Sequence, residues 1–376
     1  MARDPNARDM TFDILVAAAD HFKPPGKVIA IREHGDGNVN DTFLVTLDAE
    51  GERHFILQRI NTRVFRQPDL VMRNMRSVTE HVRRRLERSP LSPGRRWEVP
   101  RVLLAKDGRD RWIDPRGSFW RAISFVDASE SFDKIKDMGH AREVGRALGM
   151  FQALISDLPV ERLADTLEGF HITPRYLRHY DEVLEKNRPR KSPEVTYCLR
   201  FVSERRAWAH VLEYAKERGR LQLRPIHGDP KVSNVMIDTA TREAVSIVDL
   251  DTVKPGLVHY DIGDCLRSCC NPVGEETERW GEVRFEADLC KAILERYLSL
   301  ARDFLTDNDH EYLYDSIRLI AFELGLRFFT DYLEGNVYFK ARHREHNLAR
   351  GLVQFKLTES IESHEAAIRT MIQDMR

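Results

Sequence analysis

No apolar run in the sequence approaches the ~20 residues needed to cross a bilayer, so no membrane partner is expected. Charge of one sign is missing too: 59 Lys plus Arg stand against 60 Asp plus Glu, a formal net charge of -1. A polyanion-binding surface needs a net positive field, which argues against a nucleic-acid partner. Five cysteines among 376 residues are an odd number in a long chain, and no disulfide scaffold is required. Met1 to Met10 carries charges but no apolar core, so no secretory signal is expected and the location read is cytoplasmic. Internal repeats, low-complexity segments and long structureless connections are also absent. What is present is 42% hydrophobic and long enough to bury a sizeable core.

Two regions of different character follow one another. Thr11 to His21 reads as a short amphipathic helix. Val28 to Arg32, Asp41 to Asp48 and His54 to Ile60 read as strands separated by turns at 34–38 and 48–52. Asp69 to Arg88 has helical period, with Leu70, Met75, Val78, Val82 and Leu86 near one stripe. Val99 to Ala105, Arg111 to Asp114 and Phe119 to Val126 read as three more strands. After Ser129 the pattern turns helical: Met138 to Ser156, Pro174 to Glu185, Pro193 to Glu217, Arg284 to Thr306, Asn308 to Leu333 and much of Asn347 to Met375. The exception is Arg224 to Gly263, where short β-type runs sit between polar clusters. The fold class expected is α+β. A small antiparallel-sheet lobe, residues 1–126, precedes a mainly helical lobe, residues 127–376, with a hinge at about 121–128.

The chemistry concentrates in Ile226-His227-Gly228-Asp229-Pro230-Lys231-Val232-Ser233-Asn234, followed by Val248-Asp249-Leu250-Asp251-Thr252. An Asp, an Asn five residues later and an Asp ending an apolar run suit phosphoryl transfer. A hydroxyl nucleophile needs a carboxylate to orient it and take its proton late, the role read for Asp229. Magnesium is a hard ion that takes oxygen ligands while keeping waters, which suits the Asn234 amide oxygen and the Asp249 carboxylate. Asp251 is read as assisting through metal or water. Such a metal would bridge the phosphates of ATP and offset the charge developing there. Read alone, either piece is a turn or a capped strand end. Their order and spacing together make the catalytic reading.

The block His227-Gly228-Asp229-(x)4-Asn234 with Asp249-Leu250-Asp251 resembles the catalytic and metal-binding motifs of the aminoglycoside phosphotransferase and choline kinase superfamily. Further segments resemble its bacterial N-acetylhexosamine 1-kinase branch: Gly35-Asp36-Gly37-Asn38-Val39-Asn40, Phe55 to Asn61, Leu70 to Asn74, Pro255-Gly256, Asp261 to Asp264, Glu323 to Phe328 and Asp331 to Phe339. The resemblance implies a two-lobed protein-kinase-like fold and ATP-dependent phosphorylation of a sugar at its anomeric hydroxyl. It matches Asp229 with the base and Asn234 and Asp249 with the metal ligands. Lys231 resembles a lysine of the catalytic motif, though it could equally hold a phosphate or a neighbouring carboxylate. The turn at Gly35 and Gly37 is expected over the nucleotide, where glycines allow close backbone approach. Arg121 to Asp127, with Phe125 and Asp127 at its end, is expected to be the hinge whose backbone reads the adenine edge.

One absence bears on that reading. A protein kinase carries a strand lysine paired with a helix glutamate. Here the strand reads Phe55-Ile56-Leu57-Gln58-Arg59-Ile60, with Gln58 at the lysine position. Strand alternation sends Arg59 to the opposite face. The branch shares this feature, so it does not imply a dead enzyme, but it leaves open which cation meets the phosphates. Glu80 on the next helix loses its usual partner.

On the acceptor side, Asn38, Asn40, Arg327 and Tyr338 fit neutral hydroxyls better than a cation. Arg327 could instead form a structural pair with Glu323, and Tyr338 could be core. Asp264 either orients the catalytic loop or binds a sugar hydroxyl. The branch typically has His where Asn38 stands and an aromatic where Ser268 stands, both flanking the sugar's 2-substituent. A roomier or differently polar pocket is therefore expected. Cys265, Cys269, Cys270 and Cys290 read as small apolar fillers rather than zinc ligands. His227 reads as a structural member of the loop. The assembly expected is a monomer or weak homodimer. Two other readings stand beside the sugar 1-kinase: an amino-alcohol or aminoglycoside kinase, and a non-catalytic nucleotide-binding scaffold.

Overall fold

The computed structural model describes residues 12–22, 26–35, 39–91, 94–187, 189 and 191–376. The first part is a sheet with two helices: α1 (Phe12–His21), β1 (Lys27–Glu33), β2 (Asp41–Asp48), β3 (His54–Ile60), α2 (Pro68–Arg88), β4 (Val102–Leu103), β5 (Trp112–Ile113) and β6 (Phe119–Ser124). The six strands form one antiparallel sheet in the order β1-β2-β3-β6-β4, with β5 also on β6. Alternation in β2 and β3 divides their side chains between two apolar layers. Phe43, Val45, Phe55 and Leu57 pack with α1 and Trp120. Leu44 and Ile56 pack toward α2 and the other lobe.

The chain then runs through β7 (Ser129–Glu130), α3 (Met138–Ile155), α4 (Thr173–Lys186), α5 (Pro193–Arg205), α6 (Val211–Glu217), β8 (Arg224–Ile226), β9 (Val235–Asp238), β10 (Ala244–Ile247), β11 (Lys254–Gly256), α7 (Val258–Cys269), α8 (Ala287–Ala301), α9 (Asp307–Glu311), α10 (Leu313–Glu334), α11 (His346–Ser363) and α12 (Glu365–Asp374). Two small antiparallel sheets, β10-β9-β7 and β11-β8, carry the loops of the chemical cluster. The rest of the large lobe is helical, with α10 central. Ile317, Ile320, Ala321, Phe322, Leu326 and Phe329 are all buried, and the helix packs on α4, α7 and α11. The result is a bilobed, protein-kinase-like α+β architecture.

Strands β2 and β3 match their expected bounds. Other elements differ for physical reasons. Three long helical readings are each two helices, broken at Arg206–His210, at Tyr312 and at His364, where no Gly or Pro announces a turn. The 99–105 strand shrinks to Val102–Leu103. Just before it, the Glu98 backbone N–H donates to the Val245 carbonyl at 2.9 Å, joining the lobes. Helix α7 carries a polar stripe, Asp261, Asp264 and Arg267, that is turned inward: 11 of its 12 residues are buried. Among the described residues no helix is long and apolar enough to cross a membrane.

Candidate active site

The turn after β8 is held from three sides. Its backbone N–H groups at His227 and Gly228 donate to the two oxygens of Asp261 on α7, at 2.9 and 2.8 Å. Gln152 of α3 adds a third donor at 2.9 Å. Burial pushes the Asp261 carboxyl up, against the pull of the nearby His227, the Gln152 side chain and the two backbone donors. Thr252 Oγ1 donates to the His227 carbonyl at 2.8 Å. The His227 ring accepts from the Asp229 N–H at Nδ1 (3.2 Å) and lies 2.9 Å from the Val248 carbonyl through Nε2. A carbonyl only accepts, so the ring proton sits on Nε2. His227 thus links the two chemical loops and is structural, as its sequence context suggested. Gly228 has φ 90, and a Cβ there would lie 2.7 Å from the Thr252 carbonyl oxygen, so the turn requires glycine.

Three residues of the cluster come together. Asn234 follows Asp229 through one 3-10 turn, and its Nδ2 donates to the Asp229 carbonyl at 2.7 Å. That bond leaves the amide oxygen of Asn234 free. The Asn234 carbonyl accepts from Val248 N–H at 2.9 Å, placing Asn234 beside the chain that leads into Asp249. Asp249 itself has φ 63 and ψ 58, a left-handed conformation costly for a non-glycine residue. Its side chain is exposed to solvent while protein groups crowd around it. That enclosure, then Asp251, pushes its pKa up to about 6; Asp229 adds to the rise and Lys231 opposes it. Lys231 Nζ stands 3.0 Å from Asp229 Oδ2.

A free amide oxygen beside a carboxylate with a raised pKa and further carboxylates nearby is a donor set that favours a hard cation. Among the described residues no three His, Cys, Asp or Glu side chains converge on one metal position. Asn234 and Asp249 would offer such a cation two protein ligands and leave its remaining positions to phosphate oxygens and water.

The small lobe meets this loop through a buried polar row. Thr42, Gln58 and Arg121 are cross-strand neighbours on β2, β3 and β6. Gln58 donates to Thr42 Oγ1 at 3.0 Å and accepts from Arg121 at 2.9 and 2.7 Å. Arg121 also donates to Asp251 Oδ1, and Asn40 Nδ2 donates to Asp251 Oδ2 at 2.5 Å. Both oxygens of Asp251 are therefore engaged by small-lobe side chains, and it joins the lobes. Asn40 is likewise part of this junction: its Oδ1 accepts from the Asn61 N–H at 2.9 Å. Glu80 faces outward to Arg76 and Arg84, far from a lysine's role.

Gly35 has φ 71; Gly37 and Asn38 lie outside the described residues. At the hinge, the Phe125 ring meets His34 and His54 edge-on. Asp127 pairs with His54 at 3.3 Å. Its carbonyl accepts from Arg96 at 2.7 Å.

On the other side of the cleft, Arg327 projects from α10 into aromatic rings. Its guanidinium carbon lies 5.2 Å from the Phe170 ring centre, 5.0 Å from Tyr176, 5.9 Å from Tyr338 and 5.3 Å from Phe339. No hydrogen bond or ion pair to Arg327 occurs among the described residues. Its nearest carboxylate influences are Glu323 and Asp229. Glu323 is paired elsewhere, with His171 and Thr173, so the structural pair considered for Arg327 does not form. Tyr338 is half exposed. It is fixed by its own N–H, which donates to the buried Asp331 at 2.6 Å.

Asp264 holds Arg267 through Oδ1 at 2.9 and 2.8 Å, while its buried Oδ2 has no partner. Ser268 is taken up within the protein. Its hydroxyl accepts from Val232 N–H at 3.2 Å and donates to the Cys265 carbonyl at 3.0 Å, so it braces α7 against the catalytic loop. All five cysteines are buried and free, as fillers should be.

Sequence reasoning passed over Arg121, His171 and Asp261 as site residues. Arg121 left a signal: one cation inside the apolar run Phe119-Trp120-Arg121-Ala122-Ile123.

A family model described as the phosphotransferase enzyme family matches residues 30–299. Among solved structures, an aminoglycoside phosphotransferase from Alicyclobacillus acidocaldarius superposes with a TM-score of 0.61 at 14% identity, over 95% of this chain and 96% of that one. A microcompartment-associated aminopropanol kinase gives 0.61 at 18% identity, over 96% and 99%. A choline kinase from Cryptosporidium parvum gives 0.55 at 13% identity, over 91% of each chain. At these identities the superpositions speak for the fold. The matched 30–299 span covers both lobes, the catalytic turn and the Asp249 loop, and the chain belongs to the phosphotransferase enzyme family.

Proposed function

We propose that the chain is an ATP- and magnesium-dependent kinase that phosphorylates the anomeric hydroxyl of a free hexose or N-acetylhexosamine. Asp229 orients that hydroxyl and takes its proton late in transfer. Lys231, paired with Asp229, keeps the carboxylate in place and adds positive charge beside the transferring group. Asn234 and Asp249 hold the metal, which offsets charge on the phosphate oxygens when bound. Asp261 and Gln152 keep the catalytic turn rigid, so little reorganisation is left for the reaction.

The observation that carries the acceptor class is Arg327. An amine acceptor needs carboxylates or open aromatic faces to receive its charge. Here the aromatic cage already contains a cation of the chain's own, whose N–H donors meet no acceptor among the described residues. A guanidinium so placed invites hydroxyl or other oxygen acceptors and repels an ammonium.

A second reading, an amino-alcohol or aminoglycoside kinase, has its own support. The similar structures named above are described as kinases of aminoglycosides, aminopropanol and choline. The unpartnered Oδ2 of Asp264 would be its natural anchor for an amine. Competition separates the two readings. Mg-ATP turnover on reducing sugars that choline and kanamycin do not inhibit supports the first. Turnover confined to amines supports the second.

A further inference from the structure

The row Thr42–Gln58–Arg121 ends on Asp251, and that contact crosses from the small lobe to the large one. Arg121 is 1% exposed and Asp251 2%. Both are charged groups withdrawn from water, and stability alone is a poor reason to keep them. Desolvating two ions costs about as much as their attraction returns, so an apolar pair of similar size often does as well.

Their placement gives a better reason. Gln58 occupies the strand position where a protein kinase has its phosphate-binding lysine. Register puts Arg121 directly opposite Gln58 on the next strand and on the same face. Its Nε and one terminal nitrogen grip Gln58 Oε1, and the same fork reaches Asp251. Asp251 stands two residues beyond Asp249. Its other oxygen is held by Asn40, which closes the glycine-containing turn expected over the nucleotide. Three segments that would surround a triphosphate thus meet in one partly buried network, the strand of the missing lysine, the strand before the hinge and the metal loop, with Asn40 joining them.

We propose that the Arg121–Asp251 pair replaces the strand-lysine and helix-glutamate pair of a protein kinase. Arg121 supplies the fixed positive charge at the phosphate end of the cleft. It is also a positioning residue that sets the small lobe against the Asp249 loop through Asp251. The carboxylate partner has moved from the helix of the small lobe to the large lobe, which is why Glu80 is left on the surface. The pair therefore registers the lobes as well as the cation, and the unusual Gln58 is the spacer that holds the Arg121 fork. This inference rests on the nucleotide site of the proposed function and is tested separately from it.

The test is calorimetric binding of a magnesium-bound, non-hydrolysable ATP analogue, with thermal unfolding measured on the same samples. Binding by the wild-type chain establishes the nucleotide site; its failure would overturn the underlying function and this inference together. Given that binding, Arg121→Met and Asp251→Asn each leave a buried group without its partner and lower the melting temperature. The decisive variant is the double replacement Arg121→Met with Asp251→Leu, which removes both charges and recovers most of that loss. The inference predicts that its analogue affinity stays reduced by on the order of tenfold or more, the Coulomb worth of one fixed charge held behind the phosphates. Should the double variant fail to fold, Arg121→Lys gives the reading, since it keeps the charge but not the fork. A several-fold loss of nucleotide affinity with unchanged acceptor KM is then expected. A stable double variant, or Arg121→Lys, that binds the analogue as tightly as wild type would show the pair to be structural only and overturn the inference.

Discussion

The ring of His171 joins Gly228 to Glu323: one nitrogen lies 2.7 Å from the Gly228 carbonyl and the other 3.0 Å from Glu323 Oε1. Carbonyl and carboxylate oxygens accept, so both ring nitrogens donate and the ring is an imidazolium. Burial disfavours that charge, but the hydrogen bond and charge of Glu323, then Gly228 and Asp264, raise its pKa above the ordinary value. Tyr260 stacks on the same ring.

A raised histidine pKa sets the sign of a pH effect. The stability contributed by His171 is complete below the ordinary histidine range of about 6.5 and is lost as pH rises through the folded value. His171→Gln should cost about 3 kcal/mol at pH 6, the penalty of leaving buried Glu323 without its charged partner. The gap from wild type should narrow as pH rises toward 9. Urea unfolding of both proteins across that range checks it, and a gap independent of pH would refute the imidazolium.

Asp229 and Lys231 give a kinetic expectation. Asp229→Asn should lower kcat by roughly 10²- to 10⁴-fold, the usual worth of a positioned base. The analogue's affinity should stay within a few-fold of wild type. The charge of Asp229 raises the Lys231 pKa, with Asp249 adding to it against the cost of burial. Lys231 therefore stays protonated through the working range, and the pH–rate profile should lack a lysine limb below about pH 10. Single-turnover kinetics against pH would expose one if it existed.

Much of this was legible in the sequence because local rules and global fold agreed. Strands β2 and β3 are short runs of apolar, β-branched and aromatic residues between turn residues, and the Asp229, Asn234 and Asp249 spacing resembles a known motif. The illegible parts share a cause: they are set by partners far along the chain. Arg121 becomes meaningful only when Asp251, 130 residues later, is placed against it. His171 likewise depends on Glu323, 152 residues away. The bonds of Asn40 and Ser268 likewise come from residues well separated in sequence, Asp251 and Val232. Helix α7 turns its polar stripe of Asp261, Asp264 and Arg267 inward, so its pattern does not read as that of a surface helix.

The metal ligands should show a proton competition. Asp249 is pushed up to about 6 by its enclosure and then by Asp251 and Asp229, so protons compete with magnesium as pH falls through that value. Apparent magnesium affinity in the presence of the ATP analogue should drop between pH 7 and pH 5.5. Asp249→Asn should raise the magnesium requirement more than Asn234→Ala, since it removes charge as well as a ligand. A pH-independent affinity would assign the metal to other groups.

Replacing Arg327 tests the acceptor side alone. Arg327→Met should raise acceptor KM by about tenfold or more, the loss of one charge-assisted contact, while leaving the analogue's affinity unchanged. Because it also removes the repelling cation, any trace use of amine acceptors should increase in this variant. Collapse of the fold instead would mark Arg327 as a structural group in its aromatic cage.

The most direct measurement is ADP release with magnesium-ATP across free hexoses, N-acetylhexosamines, aminoglycosides and choline, with each product located by phosphorus–carbon coupling in NMR. The account predicts turnover on at least one reducing sugar with phosphate on carbon 1 and none on choline or aminoglycosides. Phosphate transferred only to amine-bearing acceptors would contradict it.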